Sequence, residues 1–232
     1  MKKVLSFLFI AVLTIAVFSA FTPKKKKKSK SFRGTITYSM SYESSELTQV
    51  QIAKMPKSVQ VKMYGNMSRV TTVSGPMTII QIDRPDDNKK IMLFEMGDKK
   101  AGMTLPDSLA DSDTTKLYDV QIDFSGDTKV IAGYTCKKAV VTFTPKDSVD
   151  AEEQTVAVFY SDELDDGSTN AENSYKGIPG LLLEFYQVTP KMTTKFMATE
   201  VKKGGVKELD FFFPSDFKEF KSEEELVKYF QG

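Results

Sequence analysis

Along most of the chain after residue 34 polar and apolar positions alternate, the period of a β-strand with one wet and one dry face. Ile36, Tyr38, Met40 and Tyr42 alternate with Thr35, Thr37, Ser39 and Ser41. Val59, Val61 and Met63 alternate with Ser58, Gln60 and Lys62, and Gly65-Asn66 supplies residues tolerant of positive φ, predicting a hairpin into 68–73. Residues 77–83 and 90–96 flank Arg84-Pro85-Asp86-Asp87-Asn88, a turn cluster that predicts a second hairpin. The strand at 90–96 is apolar on both parities, with Ile91 and Leu93 on one side and Met92, Phe94 and Met96 on the other, so it should be covered on both faces. Between these strands, 47–55 predicts a short helix that Pro56 ends by holding Met55 extended. Residues 101–115 lack periodicity and predict a loop with a helical turn after Pro106.

Strands resume at Tyr118, Val120, Ile122 and Phe124, turn at Ser125-Gly126-Asp127, and continue through 128–131 and 138–143. Val156, Val158 and Tyr160 mark the next. The acidic stretch 162–167 opens a polar loop running to Lys176, and Gly177-Ile178-Pro179-Gly180 then forms a rigid turn into a strand at 181–188. Strands at 193–201 and, after Gly204-Gly205, at 206–213 follow. Ser222-Glu223-Glu224-Glu225 reads as a capping box that opens a C-terminal helix with an apolar stripe at Leu226, Tyr229 and Phe230. The pattern as a whole is mainly β with few helices, and residues 32–232 form a single domain whose 17 Phe and 9 Tyr suffice for a sizeable core.

Before that domain the chain carries Lys2 and Lys3, an apolar run at 4–18, and the small residues Ser19 and Ala20, the anatomy of a secretory signal peptide over residues 1–20. The run is short of the roughly 20 residues a spanning helix needs. Lys24 to Lys28 and Lys30 place more positive charge after it than before it, which leaves retention as an uncleaved anchor as the alternative. Eight of the 32 basic residues precede Phe32 and no acidic residue does, leaving 24 basic against 31 acidic from Phe32 onward, a net charge of −7. A Lys-rich arm over residues 21–31 therefore precedes an acidic domain. This argues against nucleic acid as a partner of the domain, whereas the arm suits a solvated spacer or contact with an anionic membrane surface. The expected location is the periplasm or outer-membrane periphery of a Gram-negative cell.

Cys136 is the only cysteine, so no internal disulfide forms, and a small buried hydrophobe is its expected role. The chain has no histidine, which removes Ser-His and Cys-His catalysis, the usual zinc sites and any imidazole acid–base step. No catalytic constellation and no cofactor are expected. In Asp162-Glu163-Leu164-Asp165-Asp166-Gly167 the carboxylates invite a calcium reading, but Leu164 stands where an EF-hand loop needs oxygen, so a solvated loop is expected and no metal. Glu184, sharing strand parity with Leu182 and Tyr186, could point into a partly apolar cavity with a raised pKa, as a ligand contact or general acid, or form a buried salt bridge with a neighbouring Lys or Arg. The strand methionines suit a surface that accepts apolar ligands of variable shape, although gap filling in a core is the commoner use of Met. Met40, Met63, Met92, Phe94, Met96 and Glu184 are accordingly the candidate ligand contacts. Asp107-Ser108-Leu109, Asp113-Thr114-Thr115 and Asp147-Ser148-Val149 resemble short O-glycosylation sequences of some Gram-negative envelopes.

Gly177-Ile178-Pro179-Gly180-Leu181-Leu182-Leu183-Glu184 resembles the Gly-Leu-Pro-Gly-Leu-Ile-Leu-Glu signature of the GLPGLI family of envelope proteins. Gly133-Tyr134-Thr135-Cys136-Lys137-Lys138-Ala139 looks like that family's Gly-Tyr-x-Cys-x-Lys-Ala segment, Val158-Phe159-Tyr160-Ser161-Asp162 like its aromatic strand, and Phe213-Pro214-Ser215-Asp216-Phe217 like its closing turn. The sequence departs from the signature at Ile178 and has no Trp in the aromatic strand. The resemblance implies a single curved antiparallel sheet or incomplete barrel, similar to the lipoprotein carriers LolA and LolB, with a helix across its mouth and an acyl chain or other apolar ligand in its concavity. It carries no catalytic residues. The functional expectation is a non-enzymatic envelope binding protein, with two alternatives: an envelope scaffold whose sheet is filled by its own side chains, and a carboxylate-dependent hydrolase.

Overall fold

The computed structural model describes residues 31–44, 46–105, 117–146, 150–171 and 173–231. The expected signal segment, most of the Lys-rich arm and the three Asp-Ser/Thr sequences lie outside the described residues. Among the described residues twelve strands form one open sheet: β1 (Gly34–Ser44), β2 (Ser58–Tyr64), β3 (Met67–Ser74), β4 (Met77–Arg84), β5 (Lys89–Met96), β6 (Lys99–Leu105), β7 (Tyr118–Ile131), β8 (Tyr134–Pro145), β9 (Gln154–Ser161), β10 (Leu181–Thr189), β11 (Met192–Lys203) and β12 (Lys218–Glu219). Their spatial order is β12-β6-β5-β4-β3-β2-β1-β11-β10-β9-β8-β7. Every pairing is antiparallel except the two-residue β12 on β6. The sheet is mainly a run of hairpins; the pairing of β1 with β11 brings the two halves of the chain side by side, and β12 returns to pair with β6. β7 touches β11, four strand positions away and roughly 19 Å across a flat sheet, so this half of the sheet is strongly coiled.

One face carries the main core. Register places Ile36, Tyr38 and Met40 of β1 beside Val61 and Val59 of β2 and Val201, Ala198 and Phe196 of β11, and all but the partly buried Val201 are at most 6% exposed. Two helices cap this inner face: α1 (Gln49–Ala53) and α2 (Glu223–Gln231). α1 begins in a reciprocal cap in which the Thr48 hydroxyl accepts from the Gln51 backbone N–H and the Gln51 side chain accepts from the Thr48 N–H. In α2 Ser222 accepts from the Glu225 N–H, and the buried Leu226 with Tyr229 and Phe230 turns toward the core. The Phe230 ring meets Phe94 edge-on at 6.3 Å, and Lys99 Nζ donates to the Tyr229 carbonyl, fixing α2 over β5 and β6.

β5 is covered on both faces, as its two-sided apolar pattern requires. Met92 and Phe94 join the main core, whereas Ile91 and Leu93 join a second one with Ile80, Ile82, Val206, Phe211 and Phe217. The segment that supplies Val206 and Phe211 corrects the expected strand at 206–213. Gly204 and Gly205 both adopt positive φ, and the chain leaves the sheet and crosses its outer face through a 3-10 turn at Glu208–Phe211. Arg69 donates to the Asp210 carbonyl and Arg33 to that of Val206, tying the crossing to the strands beneath.

Two other expectations change. Lys99–Leu105 is a strand rather than the start of a loop. Its pattern is silent because Gly102 occupies an outer-face position where a Cβ would lie 2.4 Å from the Met92 carbonyl oxygen. Ser125-Gly126-Asp127 is a bulge inside the 14-residue β7 rather than a turn, and the reversal comes at Ala132-Gly133, both at positive φ.

Candidate functional site

The loop from 162 to 180 is built, not solvated. Leu164, Asp165, Thr169, Asn170, Tyr175 and Ile178 are all buried. Asp165 accepts hydrogen bonds from the backbone N–H groups of Phe32, Gly167 and Thr169, which anchors the start of the domain to this loop. Burial pushes its carboxyl up, against the lowering effect of those N–H groups. Asp162 pairs with Lys137 at 2.6 Å. Asn170 Nδ2 donates to the carbonyls of Ile178 and Gly180, locking the turn that launches β10.

β9 and β10 pair only from Leu181↔Ser161 to Glu184↔Phe159, with a bulge between Leu182 and Glu184, and no further rungs join them beyond Phe159. The Tyr175 hydroxyl stands in for the missing rung, donating to the Tyr186 carbonyl and accepting from the Tyr186 N–H. Its ring then belongs to an aromatic cluster on the inner face. Phe185 and Phe196 stack at 4.9 Å, Tyr38 and Tyr175 meet Phe185 edge-on at 5.5 and 6.0 Å, and Phe143 meets Tyr175 at 6.0 Å. The hydroxyl of Tyr38 donates to the Leu182 carbonyl.

The other half of the inner face has a different chemistry. Met40, Met63, Met92 and Phe94 are all buried there, and Met96 lies on the same face of β5 at its half-buried end. Met55, Met77 and Met103 join them in the core. Met103 was hidden because β6 lacks alternation. The sheet thus divides into an aromatic half around β10 and a methionine half across β1 to β6 and beneath α2.

Glu184 does not belong with the methionines. It stands opposite Met197, whereas its neighbour Phe185 stands opposite Phe196 and through it Met40; strand alternation therefore puts Glu184 on the other face. Its side chain is 5% exposed and is held by Lys129 and by Lys195 at 2.7 Å. Burial would raise its carboxyl, but the two ammonium groups outweigh burial and hold it below the usual range. The expected cavity position with a raised pKa gives way to the salt-bridge alternative. Lys129 also lies over the Phe159 ring at 4.5 Å. Cys136 is fully buried, and burial pushes its thiol up to about 11, so it stays a thiol at neutral pH.

A buried carboxylate does occur on the inner face, at Asp83 of β4. It is 4% exposed, beside Ser68 of β3 at 2% and opposite Lys90 of β5. Burial pushes its carboxyl up to about 6, against the Lys90 ammonium and the Arg84 N–H. The sequence signal was available, an Asp on the apolar parity of a strand, but Arg84-Pro85 beside it reads more simply as the turn. No protein-family model matches this chain, and no curated protein matches it.

Proposed function

We propose that the protein is a non-enzymatic binding protein of the cell envelope that holds an acyl chain or another apolar ligand against the methionine half of its sheet. The observation that carries this reading is the concentration of Met40, Met55, Met63, Met77, Met92 and Met103 on one face of β1 to β6 and its flanking chain. Thioethers on unbranched stems repack around guests of different shape at little cost, unlike the stacked rings of the neighbouring half. α2, a nine-residue helix, covers this half with the buried Leu226 and the partly buried Tyr229 and Phe230. The signal segment and the resemblance to GLPGLI-type envelope proteins and to lipoprotein carriers agree with an exported carrier. The Lys-rich arm adds contact with an anionic membrane surface.

The test is organic extraction and native mass spectrometry of the full chain produced in its own envelope. A co-purifying apolar ligand is expected, and its absence overturns the reading. A second reading, a scaffold protein filled by its own side chains, draws support from the Tyr38, Tyr175, Phe185 and Phe196 cluster, which leaves the aromatic half packed. It gains if no ligand is extracted and cross-linking in the envelope captures a stable protein complex.

A further inference from the structure

The segment that crosses the outer face carries an apolar pair that the fold leaves uncovered. Within it Val206 and Phe211 turn down onto the second core, while Leu209 is 77% exposed, the most exposed large apolar side chain among the described residues, and Phe212 is 41% exposed. One exposed leucine is ordinary. Two large apolar side chains in one turn, set among cations, form a patch suited to a partner. Arg33 lies over the Tyr64 ring at 4.3 Å, Arg69 donates to the Asp210 carbonyl at 3.0 Å, and Arg84 packs against the Phe212 ring at 3.7 Å. The acidic groups around the turn are mostly matched: Asp210 by Lys62, Asp87 by Arg84, and Glu95 and Asp216 by Lys100. This leaves Arg33, Arg69 and Lys207 against the exposed Glu208, a local positive excess in a domain whose net charge from Phe32 onward is −7.

The Lys-rich arm joins the domain at the root of this turn. The Gly204 N–H donates to the Arg33 carbonyl at 2.9 Å, and the Arg33 guanidinium donates to the Val206 carbonyl at 2.8 and 3.2 Å. Covalent geometry keeps Lys30 within roughly 10 Å of Arg33 and Lys24 within roughly 30 Å. The six lysines Lys24 to Lys28 and Lys30 are therefore tethered beside the exposed pair. Lasting peripheral attachment to a bilayer takes two signals, and a polybasic segment next to an apolar anchor supplies both. We propose, resting on the membrane contact in the reading above, that the crossing is the surface by which the domain docks on an anionic bilayer: Leu209 and Phe212 enter the lipid interface while Arg33 and the arm lysines lie along the headgroups. The inner face, with α1 and α2, then points away from the bilayer.

The chain has no tryptophan, so one introduced by substitution reports its own surroundings alone, whether or not residues 1–20 are cleaved. Leu209→Trp, Phe212→Trp and Val50→Trp are made in the full chain; Val50 is 67% exposed on α1, on the opposite side of the sheet. With vesicles containing phosphatidylglycerol, fluorescence from positions 209 and 212 is expected to shift to the blue and to be quenched by brominated acyl chains, while that from position 50 is unchanged. Vesicles of phosphatidylcholine alone, or replacement of Lys24 to Lys28 and Lys30 by Gln, should each raise the half-saturating lipid concentration by about tenfold or more. Leu209→Asp beside Phe212→Trp should do the same without changing thermal unfolding. No quenching at 209 and 212 in anionic vesicles, or equal quenching at 50, overturns the docking surface, even if the arm still carries the protein to the vesicles. A blue shift at 209 that grows with protein concentration in the absence of lipid assigns the patch to a second copy and likewise overturns lipid docking. Either failure leaves the apolar binding function standing, since that function is judged by ligand extraction.

Discussion

Glu184 and Asp83 are two carboxylates, each at most 5% exposed, in one sheet, yet their environments drive them in opposite directions. Glu184 has two lysines, so its folded pKa lies below the unfolded value. Its ionised form stabilises the fold above the unfolded pKa, and that contribution is lost as pH falls through the folded pKa. Glu184→Gln should therefore lower stability at pH 7 by about 1–2 kcal/mol, between an exposed and a fully buried pair, because Lys129 and Lys195 are 40% and 35% exposed and can turn to water. Urea denaturation at pH 7 and at pH 3 should show the difference shrinking in acid. Asp83 has the opposite sign: its folded value of about 6 lies above the usual 3.8, so the native state binds the extra proton and stability falls as pH rises from about 4 to 6. Asp83→Asn should remove that fall and gain about 2–3 kcal/mol at pH 7, the equivalent of the two-unit shift. A variant that keeps the wild-type pH dependence between 4 and 6 would show that another group causes it. The sign at Glu184 was not legible in the sequence, since Lys129 is 55 positions away and only pairing through β8, β9 and β10 brings it near, whereas burial of Asp83 could be read from its place on the apolar parity of β4.

Elements whose pattern reports a single wet face were readable, and those covered twice or crossed by other chain were not. The hairpins β2–β3 and β4–β5 follow directly from alternation and turn chemistry. β6 was missed because Gly102 leaves no side chain on the covered face, and the 206–213 segment was mistaken for a strand because its apolar residues imitate a strand's pattern, although only Val206 and Phe211 are buried. Phe211 is the test of that crossing: it is fully buried against Ile80, Ile82, Ile91 and Leu93. Phe211→Ala should cost about 3–4 kcal/mol by cavity formation, whereas Leu209→Ala, at a residue 77% exposed in the same turn, should change stability by under about 0.5 kcal/mol. Equal small effects in thermal unfolding would mean that the crossing does not close the second core. The turn before β10 invites a parallel comparison. A Cβ on Gly180 would lie 2.7 to 2.8 Å from the backbone of Ser161 and Asp162, whereas one on Gly126 meets open space. Gly180→Ala should force β9 and β10 apart at their paired end and cost more than about 2 kcal/mol, with Gly126→Ala near neutral. The glycine and proline of this stretch therefore serve strand placement, and its carboxylate serves an ion pair on the far face.

At the scale of the molecule, the sheet joins an aromatic half to a methionine-lined one through β1 and β11. The aromatic half is fixed from several sides, by the Phe185–Phe196 stack, the Tyr38 hydroxyl on β10 and the Tyr175 hydroxyl filling the gap between β9 and β10. The methionine half is closed by α2, held by Leu226, the Phe94–Phe230 contact, the Tyr229 ring against Phe220 and beneath the Lys99 and Lys218 ammonium groups, and a hydrogen bond from Lys99 to the Tyr229 carbonyl. A guest that enters should therefore do so in the methionine half, where unbranched side chains repack, and should leave the ring cluster as it is. Methyl-labelled methionine and labelled aromatic NMR spectra of the full chain separate the two halves directly. Titration with a single-chain lysophospholipid below its micellar concentration should shift the methyl signals of Met92 and Met103 while those of the exposed Met197 and the rings of Phe185 and Phe196 stay in place. Phe230→Ala, which removes the ring that holds α2 against Phe94 of β5, should tighten the apparent binding, because less of the guest's binding energy is spent displacing the helix. Shifts confined to the aromatic rings would move the binding region to β10 and its neighbours, and weaker binding in Phe230→Ala would make α2 part of the ligand's bed rather than its cover.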